Sequence, residues 1–271
     1  MSEASKSATP VERMIISAAR LIEDDTILLV GTQWPIIVSL LAWSLHAPRI
    51  SICYEGGVIL GRFPDRIPFF TGDPVSNGCS ILMGSTFDTM GGLLHAGRAH
   101  MALLSAASVD RYGNINTTCI GPYGRPAIRF GGSGGACDFA SLSPRTIIIL
   151  EHDRRRFPAA VDFVTSPGYL QGENTRESAG LRKGTGPHAV VTTLGVFGFD
   201  EAGEMVLTGH QASTSVKEIR ENVQWDLKVD PQVSVLDAPT SNELATLRQR
   251  VDPQGMYLRN ARFLEHKDII I

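Results

Sequence analysis

The first 55 residues carry an apolar pattern that few folds accommodate. Residues 26–30 read TILLV, a short buried strand, and residues 50–54 read ISICY, a second one. Between them, Pro35 suits the first residue of a helix that runs to about His46. Two buried strands joined by a helix form a βαβ unit, which implies parallel strands and a right-handed crossover. We therefore predict an α/β fold.

The rest of the chain extends this pattern without an internal repeat or a low-complexity run. We predict a single α/β domain over 1–271, with an open mixed sheet and flanking helices, in which residues 1–10 are disordered. The further predicted elements are helices over 11–23, 87–99, 216–222 and 242–251 (the last capped by Ser241), strands over 101–104 and 146–150, an antiparallel pair at 189–191 and 195–199, and a third strand at 206–209.

Charge and composition argue against several classes of protein. The net charge is −3 and no segment forms a basic stripe, so nucleic-acid binding has no electrostatic support. The apolar run over 35–47 is shorter than the roughly 20 residues that span a bilayer, and the polar N-terminus lacks the apolar core of a signal peptide. The 4 cysteines have no CxxC spacing, so we expect buried thiols, no metal site and a cytoplasmic location.

An acid followed by two glycines ends the second predicted strand, as Glu55-Gly56-Gly57. Ligands of open α/β sheets bind beyond the carboxyl ends of strands, and glycines leave a carboxylate there open to close approach. The alternative is a plain turn in which Glu55 faces water.

A second candidate is the glycine-rich segment over 130–136, which reads FGGSGGA. Consecutive backbone N–H groups in such a segment form a nest for an anion or an oxyanion, whereas the alternative is a flexible surface turn. The GxGxxG spacing of dinucleotide-binding loops is absent.

Two further segments have both a structural and a functional interpretation. Residues 110–116 read DRYGNIN, where Asn116 and Thr117 either order a turn or contact a ligand. His152 follows a predicted strand, but no local motif ties it to a nucleophile, so we favour a hydrogen-bonded structural histidine.

Together these segments resemble the β subunits of class I coenzyme A transferases, with glutaconate CoA-transferases the most similar. The resemblance extends from about Val11 to Pro253, and it implies the three-layer fold that this family shares with NagB/RpiA-like proteins. The segments that carry it are Glu55-Gly56-Gly57, then DRYGNIN at 110–116, then RFGGSGGA at 129–136, then RRF at 155–157 and DFVTSPG at 162–168.

The resemblance implies a mechanism in which Glu55 attacks an acyl-CoA thioester and then carries CoA as a glutamyl thioester, with ping-pong kinetics. Coenzyme A is then both substrate and covalent carrier, and no cofactor is permanently bound. Relatives more often have Asn or Ser where Gly56 stands, which leaves the substrate open. The residues expected to bind the oxyanion or CoA are Gly56, Gly57, Gly134, Gly135 and Ala136, and those expected to bind substrate are Tyr54, Asn114, Asn116, Arg129 and Ser133.

The resemblance also implies an α-type partner subunit in a heterotetramer or larger assembly, with the active site at the subunit junction. A small dicarboxylate is the expected acid, with Arg129 or Arg155 available for its distal carboxylate. Two alternatives stay open: a CoA-thioester hydrolase, ring-opening enzyme or decarboxylase on the same scaffold, and a ligand-binding module without turnover.

Overall fold

The computed structural model of the chain describes residues 8–258. The α-helices in this part are α1 (Pro10–Ala19), α2 (Trp34–Leu45), α3 (Ala136–Leu142), α4 (Thr175–Ser178), α5 (Val216–Glu221) and α6 (Ser241–Thr246). The strands are β1 (Ile27–Val30), β2 (Ser51–Cys53), β3 (Val58–Leu60), β4 (Ser80–Met83), β5 (Met101–Ser105), β6 (Ser108–Val109), β7 (Ile115–Asn116), β8 (Cys119–Ile120), β9 (Ile128–Arg129), β10 (Arg145–Ile149), β11 (Pro187–Val191), β12 (Gly195–Phe199), β13 (Met205–His210) and β14 (Lys228–Val235).

Contacts divide the described residues into two compact units. The first comprises residues 8–105 and 238–258, and the second comprises residues 106–237. The single domain over 1–271 stays a prediction. No described helix is long and apolar enough to cross a membrane.

The helix α1 begins where its sequence supplies a cap. The Thr9 side chain accepts a hydrogen bond from the backbone N–H of Glu12, whose carboxylate accepts one from the backbone N–H of Thr9. Ala8 is buried and Pro10 is already helical, so the disorder predicted over 1–10 is wrong for residues 8–10. Residues 1–7 lie outside the described part of the chain.

The predicted βαβ unit is confirmed in the first unit. Strand β1 pairs in parallel with β2 and with β5, and α2 joins β1 to β2. The helix α2 is apolar on most of its circumference because it packs against α1 on one side and against β1 and β5 on the other. The prediction of buried strands at both ends of this helix is therefore correct.

Strands β3 and β4 were missed by the sequence interpretation. Strand β3 pairs antiparallel with β2 and with β4, so the strand order in this unit is β5-β1-β2-β3-β4. Parallel and antiparallel pairs occur together, which confirms the α/β class with a mixed sheet. The segment predicted as a helix over 87–99 is a π-helix that ends earlier, at His95.

The second unit repeats the mixture of strand directions. Its order is β14-β13-β12-β11-β10, with β10 and β11 parallel and β11, β12 and β13 antiparallel. The predicted pair at 189–191 and 195–199 and the third strand at 206–209 are thus confirmed. Strand β14 was missed because it contains Pro231, which a strand tolerates at a sheet edge.

The closing helix differs from the prediction at its start. Thr240, not Ser241, is the capping residue, and it forms a capping box with Glu243. Arg20 in turn binds Glu243 at 2.7 Å, which fixes the end of α1 to the start of α6.

Candidate active site

Glu55 lies at the tip of the tight turn that joins β2 to β3. The backbone N–H of Gly57 donates to the carbonyl of Tyr54 at 3.1 Å, and the N–H of Tyr54 donates to the carbonyl of Val58 at 2.9 Å. Glu55 is partly exposed at this turn. The carboxylate is therefore held on a short hairpin, whose backbone hydrogen bonds fix where its side chain begins.

A buried hydroxyl that the sequence interpretation missed anchors the same turn. Thr89, which is 1% exposed, donates from Oγ1 to the backbone carbonyl of Glu55 at 2.8 Å. Thr89 follows Glu55 by 34 residues and lies in the glycine-weakened π-helix, so no local signal marked it. Its contact constrains the backbone that carries the candidate nucleophile.

Gly57 has a structural role that only glycine can fill. Its φ is +100°, and a Cβ there would lie 2.4 Å from the carbonyl carbon and oxygen of Gly84. The N–H of Gly84 donates to the carbonyl of Gly57 at 2.9 Å, so the turn packs directly against the end of β4. The amide of Gly57 is bonded to Tyr54 within the turn, and the predicted role of Gly57 in binding an oxyanion or CoA stays a prediction.

Gly56 differs from its neighbour in each of these respects. It is exposed, its φ lies outside the left-handed region, and nothing lies within 4 Å of a Cβ built on it. The residue next to Glu55 therefore borders open space. The predicted role of Gly56 in binding the oxyanion or CoA stays a prediction.

Tyr54 points into the core of the first unit. It is 0% exposed, and burial, reinforced by the nearby Tyr257, Cys79 and Asp73, raises the pKa of its hydroxyl. Its packing supports the base of the Glu55 turn, and its predicted contact with substrate stays a prediction.

The glycine-rich segment joins β9 to α3 in the second unit. The amide of Gly132 donates to the carbonyl of Thr117 at 2.9 Å, and the amide of Ala136 donates to the carbonyl of Ser133 at 2.9 Å. The N–H of Ala136 therefore closes a turn of the loop, and its predicted role in binding the oxyanion or CoA stays a prediction. Within the described chain the amides of Ser133 and Gly134 donate to no acceptor.

The remaining glycine-loop residues lie at or near the surface. Gly134 is exposed with φ +48°, Ser133 and Gly135 are partly exposed, and Gly135 immediately precedes α3. Backbone amides next to glycines of positive φ suit an anion, as in a nest. The binding roles of Ser133, Gly134 and Gly135 stay predictions.

Asn114 and Asn116 hold turns of the second unit together. Asn114 is 2% exposed; its amide nitrogen donates to Asp110 and to the carbonyl of Leu170, and its amide oxygen accepts from the N–H of Gly168 at 2.9 Å. Asn116 is 0% exposed and bonds the backbone of residues 118 and 119. Both side chains therefore have structural partners, and their predicted contact with substrate stays a prediction.

Arg129 lies on the surface of the hairpin formed by β8 and β9. Its guanidinium stacks on Tyr123, with 4.6 Å between its central carbon and the ring centroid, and it donates to the carbonyl of the same residue. It is exposed, so its predicted contact with a carboxylate stays a prediction.

A buried arginine ties the motif segments of the second unit together. Arg176 is 3% exposed and donates to the carbonyls of Pro167, Gly168, Ala140 and Ser141 and to the hydroxyl of Thr185. Burial lowers the pKa of its guanidinium. The sequence interpretation missed Arg176, because its partners are backbone carbonyls of two separate segments and the hydroxyl of Thr185.

His152 and the cysteines are the other side chains that could take part in chemistry. The ring of His152 stacks on Phe157 with centroids 4.3 Å apart, and burial lowers the pKa of His152 to about 4, which supports the structural interpretation. The 4 cysteines are all free thiols, and within residues 8–258 no group of His, Cys, Asp and Glu could hold a metal ion.

Comparison with known proteins identifies the family. The sequence profile described as Coenzyme A transferase matches residues 11–222. The chain belongs to the coenzyme A transferase family. It is 34% identical to the B-type subunit of glutaconate CoA-transferase of Acidaminococcus fermentans over 93% of this chain and 95% of that protein. It is also 34% identical to the B-type subunit of 3-oxoadipate CoA-transferase of Pseudomonas knackmussii, over 88% of this chain and 91% of that protein.

A solved structure extends the likeness within this family. The crystal structure of glutaconate coenzyme A-transferase from Acidaminococcus fermentans matches with a TM-score of 0.88 and 32% sequence identity, over 93% of this chain and 98% of that chain. The resemblance deduced from the sequence motifs is thereby confirmed, and the chain is a homologue of the B-type subunits of such transferases.

Proposed function

We propose that this chain is the B-type subunit of an enzyme that moves CoA from an acyl-CoA to a carboxylic acid, with Glu55 as the covalent carrier. The observation that carries the proposal is the Glu55 turn itself. It carries the partly exposed Glu55 beside Gly56, which borders open space, on a backbone held by Thr89 and by the end of β4. Fixed placement raises the effective concentration of such a nucleophile by orders of magnitude.

The proposed reaction has two half-reactions. In the first, the Glu55 carboxylate attacks the thioester carbonyl and expels CoA thiolate, which leaves an acyl-glutamyl anhydride; the thiolate then attacks the glutamyl carbonyl and releases the carboxylic acid. In the second, an incoming carboxylate reverses these steps and leaves as the new acyl-CoA. The kinetics are accordingly ping-pong.

The acceptor is a small carboxylic acid, and a dicarboxylate is the class we favour, because the two relatives above are named for glutaconate and 3-oxoadipate. Arg129 and Arg155 are exposed cations proposed for its distal carboxylate, although Arg155 already pairs with Asp153 at 3.0 Å. The enzyme is completed by an α-type subunit, consistent with the names of both relatives, each of which denotes one subunit of its transferase.

The covalent carrier is tested by trapping. The complex with the companion subunit is incubated with acyl-CoA and then with borohydride, which reduces a glutamyl thioester to an alcohol. Peptide mass spectrometry is expected to find the reduced side chain at Glu55 and none at Asp88, a nearby exposed acid that serves as an internal control. An active complex whose Glu55 stays unmodified contradicts the mechanism.

Product analysis separates transfer from the alternative reactions. With acyl-CoA and an acceptor acid, we expect the CoA thioester of the acceptor in an amount equal to the acyl-CoA consumed. Consumption of thioester without an acceptor, or release of CO₂, assigns the chain to hydrolysis or decarboxylation instead. The substitution Glu55→Gln is expected to abolish transfer in a complex that still assembles.

A further inference from the structure

The loop between β1 and α2 contains a residue in a backbone conformation that favours glycine. Gln33 has φ +67° and ψ −124°, close to the values of the first central residue of a type II′ turn, where glycine dominates. A side chain in this conformation strains the backbone, and strain of this kind is concentrated at functional sites. The chain has a glutamine here in spite of that strain.

Nothing in the described fold requires the side chain of Gln33. As the N-cap residue of α2 it makes no capping hydrogen bond, and its side-chain amide has no hydrogen-bond partner within residues 8–258. Gln33 is partly exposed, whereas the next residue, Trp34, is buried and contacts Tyr257 with ring centroids 6.3 Å apart. The amide of Gln33 is therefore available to a ligand.

The same loop lies beside the Glu55 turn, at the carboxyl end of the parallel strands. In the register of β1 and β2, Leu29 is paired with Cys53. Continuing this register by two residues brings Gly31 level with Glu55. Neighbouring strands lie about 4.8 Å apart and two residues span at most about 7 Å, so the Cα atoms of Gln33 and Glu55 are separated by no more than roughly 12 Å. Two side chains of this length can contact the two ends of one small acid.

Hydrogen bonds to β5 hold this loop in place. The N–H of Gly31 donates to the carbonyl of Leu103 at 2.9 Å, and the Oγ of Ser105 donates to the carbonyl of Thr32 at 3.1 Å. Both bonds lie within two residues of Gln33 and involve the backbone of the loop. The loop is therefore a fixed base for the side chain of Gln33, as a residue that selects a substrate requires.

We propose that Gln33 determines specificity: its side-chain amide binds the polar group at the far end of the acid whose carboxylate reacts at Glu55. This rests on the proposed function, which places the reacting end of the acid at Glu55, and it adds an uncharged partner to the cations proposed above. An amide that faces an alkyl chain loses its water without gaining a hydrogen bond. The site therefore prefers acids with a polar distal group to alkyl acids of the same length.

The test compares two acceptor acids of equal chain length, glutarate with a second carboxylate and valerate without one. Gln33→Leu keeps the approximate size of the side chain and removes its amide. In the complex with the companion subunit it is expected to lower kcat/KM for glutarate by about 10-fold or more, and to change kcat/KM for valerate by less than about threefold. A purely structural role of Gln33 does not change the ratio of the two values.

A second substitution, Gln33→Gly, separates backbone strain from binding. It is expected to raise Tm by about 2–6 °C, because glycine relieves the strain, and to lower the preference for glutarate as Gln33→Leu does. Glu173→Gly is the control, because Glu173 also has a positive φ, +50°, and is exposed in the second unit. It is expected to leave the preference for glutarate unchanged.

A folded Gln33→Leu complex that keeps the preference for glutarate overturns the inference, and so does an original complex that does not distinguish the two acids. Equal losses for both acids also overturn it, because Gln33 would then act only by placing Glu55. Calorimetric titration of each acid into the complex makes the same comparison without CoA transfer. A complex that selects glutarate through Gln33 but transfers no CoA contradicts the proposed function and leaves the role of Gln33 standing.

Discussion

The two glycines after Glu55 allow one prediction in which neighbouring positions give opposite results. Gly57→Ala introduces a side chain where φ is +100° and where a Cβ lies 2.4 Å from the backbone of Gly84. The backbone conformation alone costs about 1–2 kcal/mol, and displacement of Gly84 breaks its hydrogen bond to Gly57, worth about 1 kcal/mol. The sum is roughly 2–3 kcal/mol of unfolding free energy.

At about 2–4 °C per kcal/mol for a chain of this size, Gly57→Ala is expected to lower Tm by about 4–12 °C. It is also expected to lower the rate of CoA transfer by about 100-fold, because a shift of about 1 Å at the turn misplaces the carboxylate. Gly56→Ala, with nothing within 4 Å of its Cβ, is expected to change stability by less than about 0.5 kcal/mol.

Thermal unfolding of the isolated chain and an assay of the complex with its companion subunit measure the two effects. Equal losses at Gly56 and Gly57, or a Gly57→Ala chain that melts within about 1 °C of the original, refute the close contact with Gly84 as the reason for glycine at this position.

The remaining predictions concern a turn, a histidine and a hydroxyl. Asn114→Ala leaves several buried groups without a hydrogen-bond partner and is expected to lower the free energy of unfolding by roughly 2–4 kcal/mol, measured by thermal unfolding. Asn242→Ala, at an exposed position, is expected to leave it unchanged. Because the folded-state pKa of His152 is about 4, below its unfolded value of about 6.5, its contribution to stability is complete above pH 6.5 and is lost as pH falls towards 4. His152→Phe is therefore expected to flatten the fall of Tm between these pH values, and an unchanged slope contradicts this assignment. Thr89→Val, which removes the hydrogen bond to the carbonyl of Glu55, is expected to lower kcat by about tenfold, with recovery in Thr89→Ser.

The parts of the fold that were predictable are those marked by a sequence pattern of a few consecutive residues. The apolar runs of β1 and β2 and Pro35 near the start of α2 were enough to place the βαβ unit. Strand β4 gave no such signal, because its alternation is absent when both faces are exposed. The segment is recognisable as a strand only when its pairing with β3 is known.

The candidate site was likewise predictable only where its sequence pattern is local. Glu55 was identifiable because an acid followed by two glycines is a local pattern, but the different roles of Gly56 and Gly57 depend on Gly84, which is distant in sequence. Burial could not be predicted from the sequence either: Tyr54, a candidate for binding substrate, lies in the core of the first unit. A strand-end position alone does not tell which face of the turn a side chain takes.

Arg176 has a consequence for how sequences of this family are interpreted. It draws the Pro167-Gly168 turn and the end of α3 to one point, and Asn114 bonds the same Gly168. Asn114, Pro167 and Gly168, which belong to the recognisable motifs, therefore stabilise the fold. Any enzyme with this fold would need them, whatever its reaction. Substrate identity is better sought at positions without such duties, and Gly56, which borders empty space beside the carboxylate, is the first of them.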